Sequence, residues 1–163
     1  MKFERDYIIG IEDIGKNNQI TNLGYLKYLE EIACSHSATC GYGANDIETK
    51  RKAWLLMDWK LKVLDRPIYE NIITVKTWAR KIKQNSFFSY RDFEVHCNNK
   101  LVAIATSKWV LFDFKIKRIT RWPRGLMDIA PDYGSGDWGF ESLRGRVIFS
   151  LLNKRIYSWY VDE

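Results

Sequence analysis

Thr21-Asn22-Leu23-Gly24-Tyr25-Leu26-Lys27-Tyr28-Leu29-Glu30-Glu31-Ile32-Ala33-Cys34-Ser35-His36-Ser37-Ala38-Thr39-Cys40-Gly41 sets Leu26, Leu29, Ile32, Ala33 and Cys40 at helical spacing. Thr21 or Asn22 is placed to cap the first turn, and Gly41 to end the last. The spacing predicts one long helix over residues 23–40. Upstream, Phe3 to Ile11 reads as a strand and Glu12 to Thr21 as a polar loop. Downstream the period changes. Trp54 to Val63 alternates in its second half, and Ile72 to Ala79 is rich in β-branched and aromatic residues. Ser86 to Val95 and Leu101 to Phe114 are joined across Cys97-Asn98-Asn99-Lys100, where paired Asn residues tolerate the positive φ of a tight hairpin. One helix after one strand, then four strands on short turns, predicts an α+β domain in which the helix packs on an antiparallel sheet. Residues 1–133 form this expected domain. Residues 134–163 read as a C-terminal extension, jointed at Gly134-Ser135-Gly136, with two further short strands between Arg146 and Val161.

A chain of 163 residues, 46% hydrophobic and 15% aromatic, has enough apolar area for one buried core, which argues against disorder. Met1-Lys2-Phe3-Glu4-Arg5-Asp6 puts charges where a signal peptide needs an apolar run, and no stretch approaches the length of a membrane span. A soluble cytoplasmic protein is expected. Cys34, Cys40 and Cys97 make neither a C-x-x-C pair nor a disulfide framework, so they are expected to pack, and neither a metal site nor a cofactor is implied. The net charge of +6 suits an acidic partner, whether nucleic acid, membrane surface or an acidic protein.

The loop ahead of the helix, Asp13-Ile14-Gly15-Lys16-Asn17-Asn18-Gln19-Ile20-Thr21-Asn22-Leu23-Gly24-Tyr25, resembles the D-x-D-x-N-x-H-x-N-N-x-x-Y signature of acyl-ACP thioesterases. Further similarity lies in Leu29 to His36, Ala53-Trp54, Asp65-Arg66-Pro67, Val75 to Trp78 and Ala105 to Val110, together covering about residues 3–133. The resemblance implies a hot-dog fold and a fatty-acyl thioester on acyl carrier protein as substrate. Members of the family carry two hot-dog units in tandem, and this chain is similar to the first. Gly15 stands where the signature has its second Asp, and Gln19 where it has His, whereas Asn17 and Asn22 match. An amide cannot accept a proton at neutral pH, so Gln19 can hold a carbonyl or a water but cannot be a general base.

The resemblance makes Asn17, Gln19, Glu30 and His36 the catalytic candidates, and Asn22, Leu23, Gly24, Tyr25, Trp54, Met57 and Trp59 the substrate-binding candidates. A thioester oxyanion needs preorganised donors, which the first-turn N–H groups of Leu23 and Gly24 can offer. Gly24 equally suits close packing against a strand. With Leu29 at the centre of the buried face, Glu31 points outward and is expected to pair with Lys27, while Glu30 lies at the boundary, as a surface charge or a residue steering water. His36 falls in the apolar face, where a hydrogen-bonded core role competes with a functional one. Trp54, Met57 and Trp59 fit either an acyl tunnel between helix and sheet or plain core packing. Lys50-Arg51-Lys52, Arg80-Lys81-Ile82-Lys83 and Lys115-Ile116-Lys117-Arg118 with Arg121 and Arg124 are candidate contacts for acyl carrier protein or simple edge protection.

Three functions follow: acyl-ACP thioesterase, a non-catalytic acyl-binding or structural hot-dog domain, and single-stranded nucleic-acid binding. The last is disfavoured because the aromatics alternate with apolar residues as core strands do. A homodimer is expected, because a strand such as Leu101 to Phe114 would otherwise leave an open edge.

Overall fold

The computed structural model describes residues 2–81 and 86–121, and the architecture below concerns these residues. Six strands form one antiparallel sheet: β1 (Phe3–Ile8), β2 (Lys52–Val63), β3 (Ile72–Ala79), β4 (Phe88–Cys97), β5 (Lys100–Asp113) and β6 (Arg118–Thr120). The order is β1-β3-β4-β5-β2, with β6 also pairing β5. The long helix α1 (Asn22–Thr39) packs on one face, and a single turn α2 (Ile47–Lys50) precedes β2. This is the hot-dog arrangement, an α+β fold of one long helix on an antiparallel sheet.

Register decides which residues reach the helix. Thr77 pairs with Phe93, Val75 with Val95 and Ile73 with Cys97, so alternate residues of β3 and β4 share the inner face. Tyr25, Leu29 and Ile32 of α1 meet Trp59, Val75, Phe93 and Val95 in one core cluster. The β4–β5 turn carries Asn98 and Asn99 at φ 50° and 62°, the left-handed values that favour Asn in a two-residue hairpin. Thr21 caps α1, its Oγ1 accepting the N–H of Gly24 at 3.0 Å.

Several expectations are corrected. The first strand stops at Ile8, and Ile11–Asp13 turn as a short 3-10 helix. β5 is an interior strand between β4 and β2, so the open edges among the described residues belong to β1, β2 and the short β6. Lys27 does not pair with Glu31: its ammonium binds Glu12 and, at 3.0 Å, Asp13, because the folded loop brings two carboxylates to it. Cys34 is exposed rather than packed, whereas Cys97 is buried. β2 breaks register between Leu56 and Asp58, and Met57 in that bulge is 48% exposed, outside the helix–sheet core. The expected joint at 134–136, the strands between 146 and 161, and the domain boundary at 133 lie outside the described residues.

Candidate functional site

The loop between β1 and α1 closes on itself. Ile14 bridges Ile20, the N–H of Gly15 donates to the Gln19 carbonyl at 2.8 Å, and Asn18 turns the chain at φ 63°. Inside that turn Asn17 and Gln19 bind one another: Asn17 Nδ2 donates to Gln19 Oε1 at 2.7 Å, and the Gln19 N–H donates to Asn17 Oδ1 at 3.3 Å. Gln19 also bridges Ile68, and the Ile20 N–H donates to the Pro67 carbonyl, so the turn after β2 backs the loop.

Arg66 fastens the loop to the helix start. Its Nη1 donates to the Ile20 carbonyl at 2.7 Å and its Nη2 to Asn22 Oδ1 at 2.6 Å. Two donors from one planar guanidinium fix both position and angle. Tyr25 is fully buried and donates to the Asp65 carbonyl at 2.7 Å; burial pushes its phenol pKa upward. The sequence signalled the Asp65-Arg66-Pro67 turn but not the clamp that Arg66 forms.

A second anchor lies beneath. Asp13 is 3% exposed, yet it is fully engaged: Tyr28 donates to Oδ2 at 2.5 Å, the Gly10 N–H to Oδ2 at 3.3 Å, and Lys27 to Oδ1 at 3.0 Å. Burial and the bond to Asp13 push the Tyr28 phenol up to about 12. The Glu12 bond, followed by Asp13, raises Lys27 well above the usual ammonium range. The only signal in sequence is Tyr28 one residue ahead of Leu29, on the inner face of the helix.

Gly24 is tightly enclosed. Its N–H is occupied by the Thr21 cap, and a side chain there would meet the Asp13 carbonyl at 2.5 Å. Gly24 therefore packs on loop backbone rather than on a strand, and its N–H is not a waiting oxyanion donor. Leu23 is 54% exposed at the rim.

The candidates do not form one constellation. Asn17, Gln19 and Asn22 gather at the loop, whereas Glu30 sits half-buried two turns along the helix. His36 lies about 21 Å from Asn22 at 1.5 Å per residue. Its ring stacks on Phe3 at 5.0 Å, and its Nδ1 is 2.7 Å from Arg91 Nη1. Burial, followed by the Arg91 charge, holds its pKa down at about 4. Trp59 is buried in the core against Phe93, with no partner for its Nε1 among the described residues, and Trp54 packs partly buried beside that core. Of the two loop carboxylates, Glu12 is held by Lys27 and Asp13 accepts from Tyr28, Gly10 and Lys27, so among the described residues the loop can orient a polar group while both carboxylates are engaged in bonds of their own. No group of His, Cys, Asp and Glu among them could hold a metal ion.

A helix laid on a curled antiparallel sheet, with a hydrogen-bonded loop at the helix N-terminus, defines the hot-dog class of fold. The sequence profile of the acyl-ACP thioesterase N-terminal domain matches residues 1–130, and the chain belongs to that family. It is 24% identical over 125 residues to the oleoyl-acyl carrier protein thioesterase 2 of Arabidopsis thaliana, a chloroplast protein. That match takes 72% of this chain but 32% of the relative, so the chain spans about a third of the relative's length. An acyl-ACP thioesterase from Bacteroides thetaiotaomicron superposes with a TM-score of 0.72 at 16% identity, covering 84% of this chain and 56% of that one. A hypothetical protein from Staphylococcus aureus, solved in complex with CoA, superposes at 0.71 and 10% identity over 84% of this chain and 90% of its own. These superpositions establish the fold.

Proposed function

We propose that this chain serves as an acyl-ACP thioesterase unit in fatty acid biosynthesis, acting on a fatty-acyl thioester carried by acyl carrier protein in the cytoplasm. The observation that carries the reading is the family match over residues 1–130, together with the Asn17-to-Asn22 loop held at the helix N-terminus. Asn17 offers an amide donor and acceptor to orient the thioester or the attacking water. The acyl chain lies along the layer between α1 and the sheet, with Trp54 and Trp59 as lining. The basic clusters around Lys50, Arg80 and Lys115 attract the acidic carrier. Two copies pair through β2, the longest of the open edges among the described residues, with the loop near the seam.

A second reading is a non-catalytic acyl-binding unit, favoured by the Gln19 amide and its bond to Asn17. Titration with an acyl carrier protein bearing a non-hydrolysable fatty-acyl group tests what both readings share. Binding that tightens with the acyl group is expected, and equal affinity for acylated and free carrier would reject both. Hydrolysis then separates them.

A further inference from the structure

The inner face of the sheet changes character along its length. Near the loop it is apolar, with Ile73, Val75, Val95 and Ala103. Toward the helix C-terminus the same face carries Thr77, Ser89 and Ser107, all buried, and Arg91 opposite Ser107 in register. Arg91 stands in the alternating line of Phe93, Val95 and Cys97, where an apolar side chain would be expected.

Among the described residues the guanidinium there has neutral partners only. Nη1 donates to His36 Nδ1 at 2.7 Å and to Thr77 Oγ1 at 3.3 Å. Because Arg can only donate, His36 accepts at Nδ1 and carries its proton on Nε2. Among the described residues no carboxylate reaches Arg91, unlike Arg80, which is held bidentate by Asp92 at 2.7 Å on the outer face. The helix C-terminus does not substitute for one. The carbonyls of Ala33, His36, Ser37 and Ala38 accept from Ser37, Thr39, Cys40, Gly41 and Tyr42, none from Arg91. Arg91 is half-buried, and a cation drawn partly out of water with no anionic partner among the described residues costs free energy; its Nε–Nη2 edge is the fork that matches two oxygens of one anion.

We propose that Arg91, buttressed by His36 and Thr77, forms an oxyanion-binding site at the far end of the helix–sheet layer, taking a carboxylate or phosphate on its Nε–Nη2 edge. The ligand is either a free small anion or the terminal carboxylate of a chain lying in the layer. The site does not depend on the proposed hydrolase activity.

The test follows the Arg91 Nε–H resonance of the full chain by NMR during titration with acetate, inorganic phosphate, hexadecanedioic acid and hexadecanoic acid. A saturable shift is expected; in Arg91→Lys, which keeps the charge but loses the fork and its Nε–H, the affinity read from the backbone amide shifts of His36 and Thr77 is expected to be weaker by about tenfold or more. Tighter binding of the diacid or the monoacid than of acetate and phosphate identifies a chain terminus as the source; acetate or phosphate binding as tightly as either long-chain acid identifies a free anion. The proposal is overturned if no probe shifts the resonance saturably, or if Arg91→Lys binds every probe as the parent does. The wild-type resonance reads the site directly should the variant not fold.

Discussion

Gly24 has no room for even a methyl group. A Cβ there would come within 2.5 Å of the Asp13 carbonyl, a backbone atom that cannot swing aside, and 3.0 Å of the Ile20 side chain at Cγ1. Gly24→Ala is expected to destabilise the fold by ~1–3 kcal/mol in urea denaturation. An unchanged midpoint would mean that the loop does not press on the helix. At Tyr28 the hydroxyl, not the ring, ties Asp13 to the helix, so Tyr28→Phe leaves a buried carboxylate short of a donor and should cost ~1–3 kcal/mol. His36 supplies a pH dependence. Its folded pKa of about 4 lies below the ordinary 6.5, so the unfolded chain binds a proton first. Stability is therefore full above the unfolded value and falls as pH drops toward 4. Denaturation across pH 4 to 7 should show that slope, and His36→Phe should flatten it; an identical slope in the variant would assign it to other groups.

Among the elements, those with a strict period were legible and those set by tertiary pairing were not. The helix appears one residue from its expected limits at either end, because Leu29, Ile32 and Ala33 recur on one face and Thr21 supplies the cap. The Asn98-Asn99 hairpin was readable for a similarly local reason. Lys27 misled because the helix period offers Glu31, whereas the fold delivers Glu12 and Asp13 from fifteen and fourteen residues away. The Met57 bulge left no trace in alternation, and Arg91 was visible only as a charge in an apolar line. Of the candidate site, the loop and its Asn residues were legible as a motif, but the Arg66 clamp requires a contact 44 residues apart. The cap gives a direct test of the helix start: Thr21→Ala should lower stability by about 1 kcal/mol, with Thr21→Ser close to parental. Equal loss in both variants would place the effect outside the cap.

At the scale of the whole molecule, β2 presents twelve residues at an edge that no described strand covers. Light scattering at micromolar concentration is expected to report a dimer; a mass near 19.3 kDa would exclude it. The layer between helix and sheet unites the proposals, with an amide-lined loop at one end and a cation at the other. Its chemistry is decided by whether the loop turns over a thioester. Gln19 occupies the position where the family signature has a base, and Gln19→His should raise the rate, by up to ~10²–10⁴-fold if a well-placed base is restored. The most direct measurement is fatty-acid release from medium- and long-chain acyl carrier protein thioesters by the purified chain. Release above the buffer rate, diminished in Asn17→Ala, is the predicted result; release no faster than buffer by a folded protein would contradict the thioesterase reading.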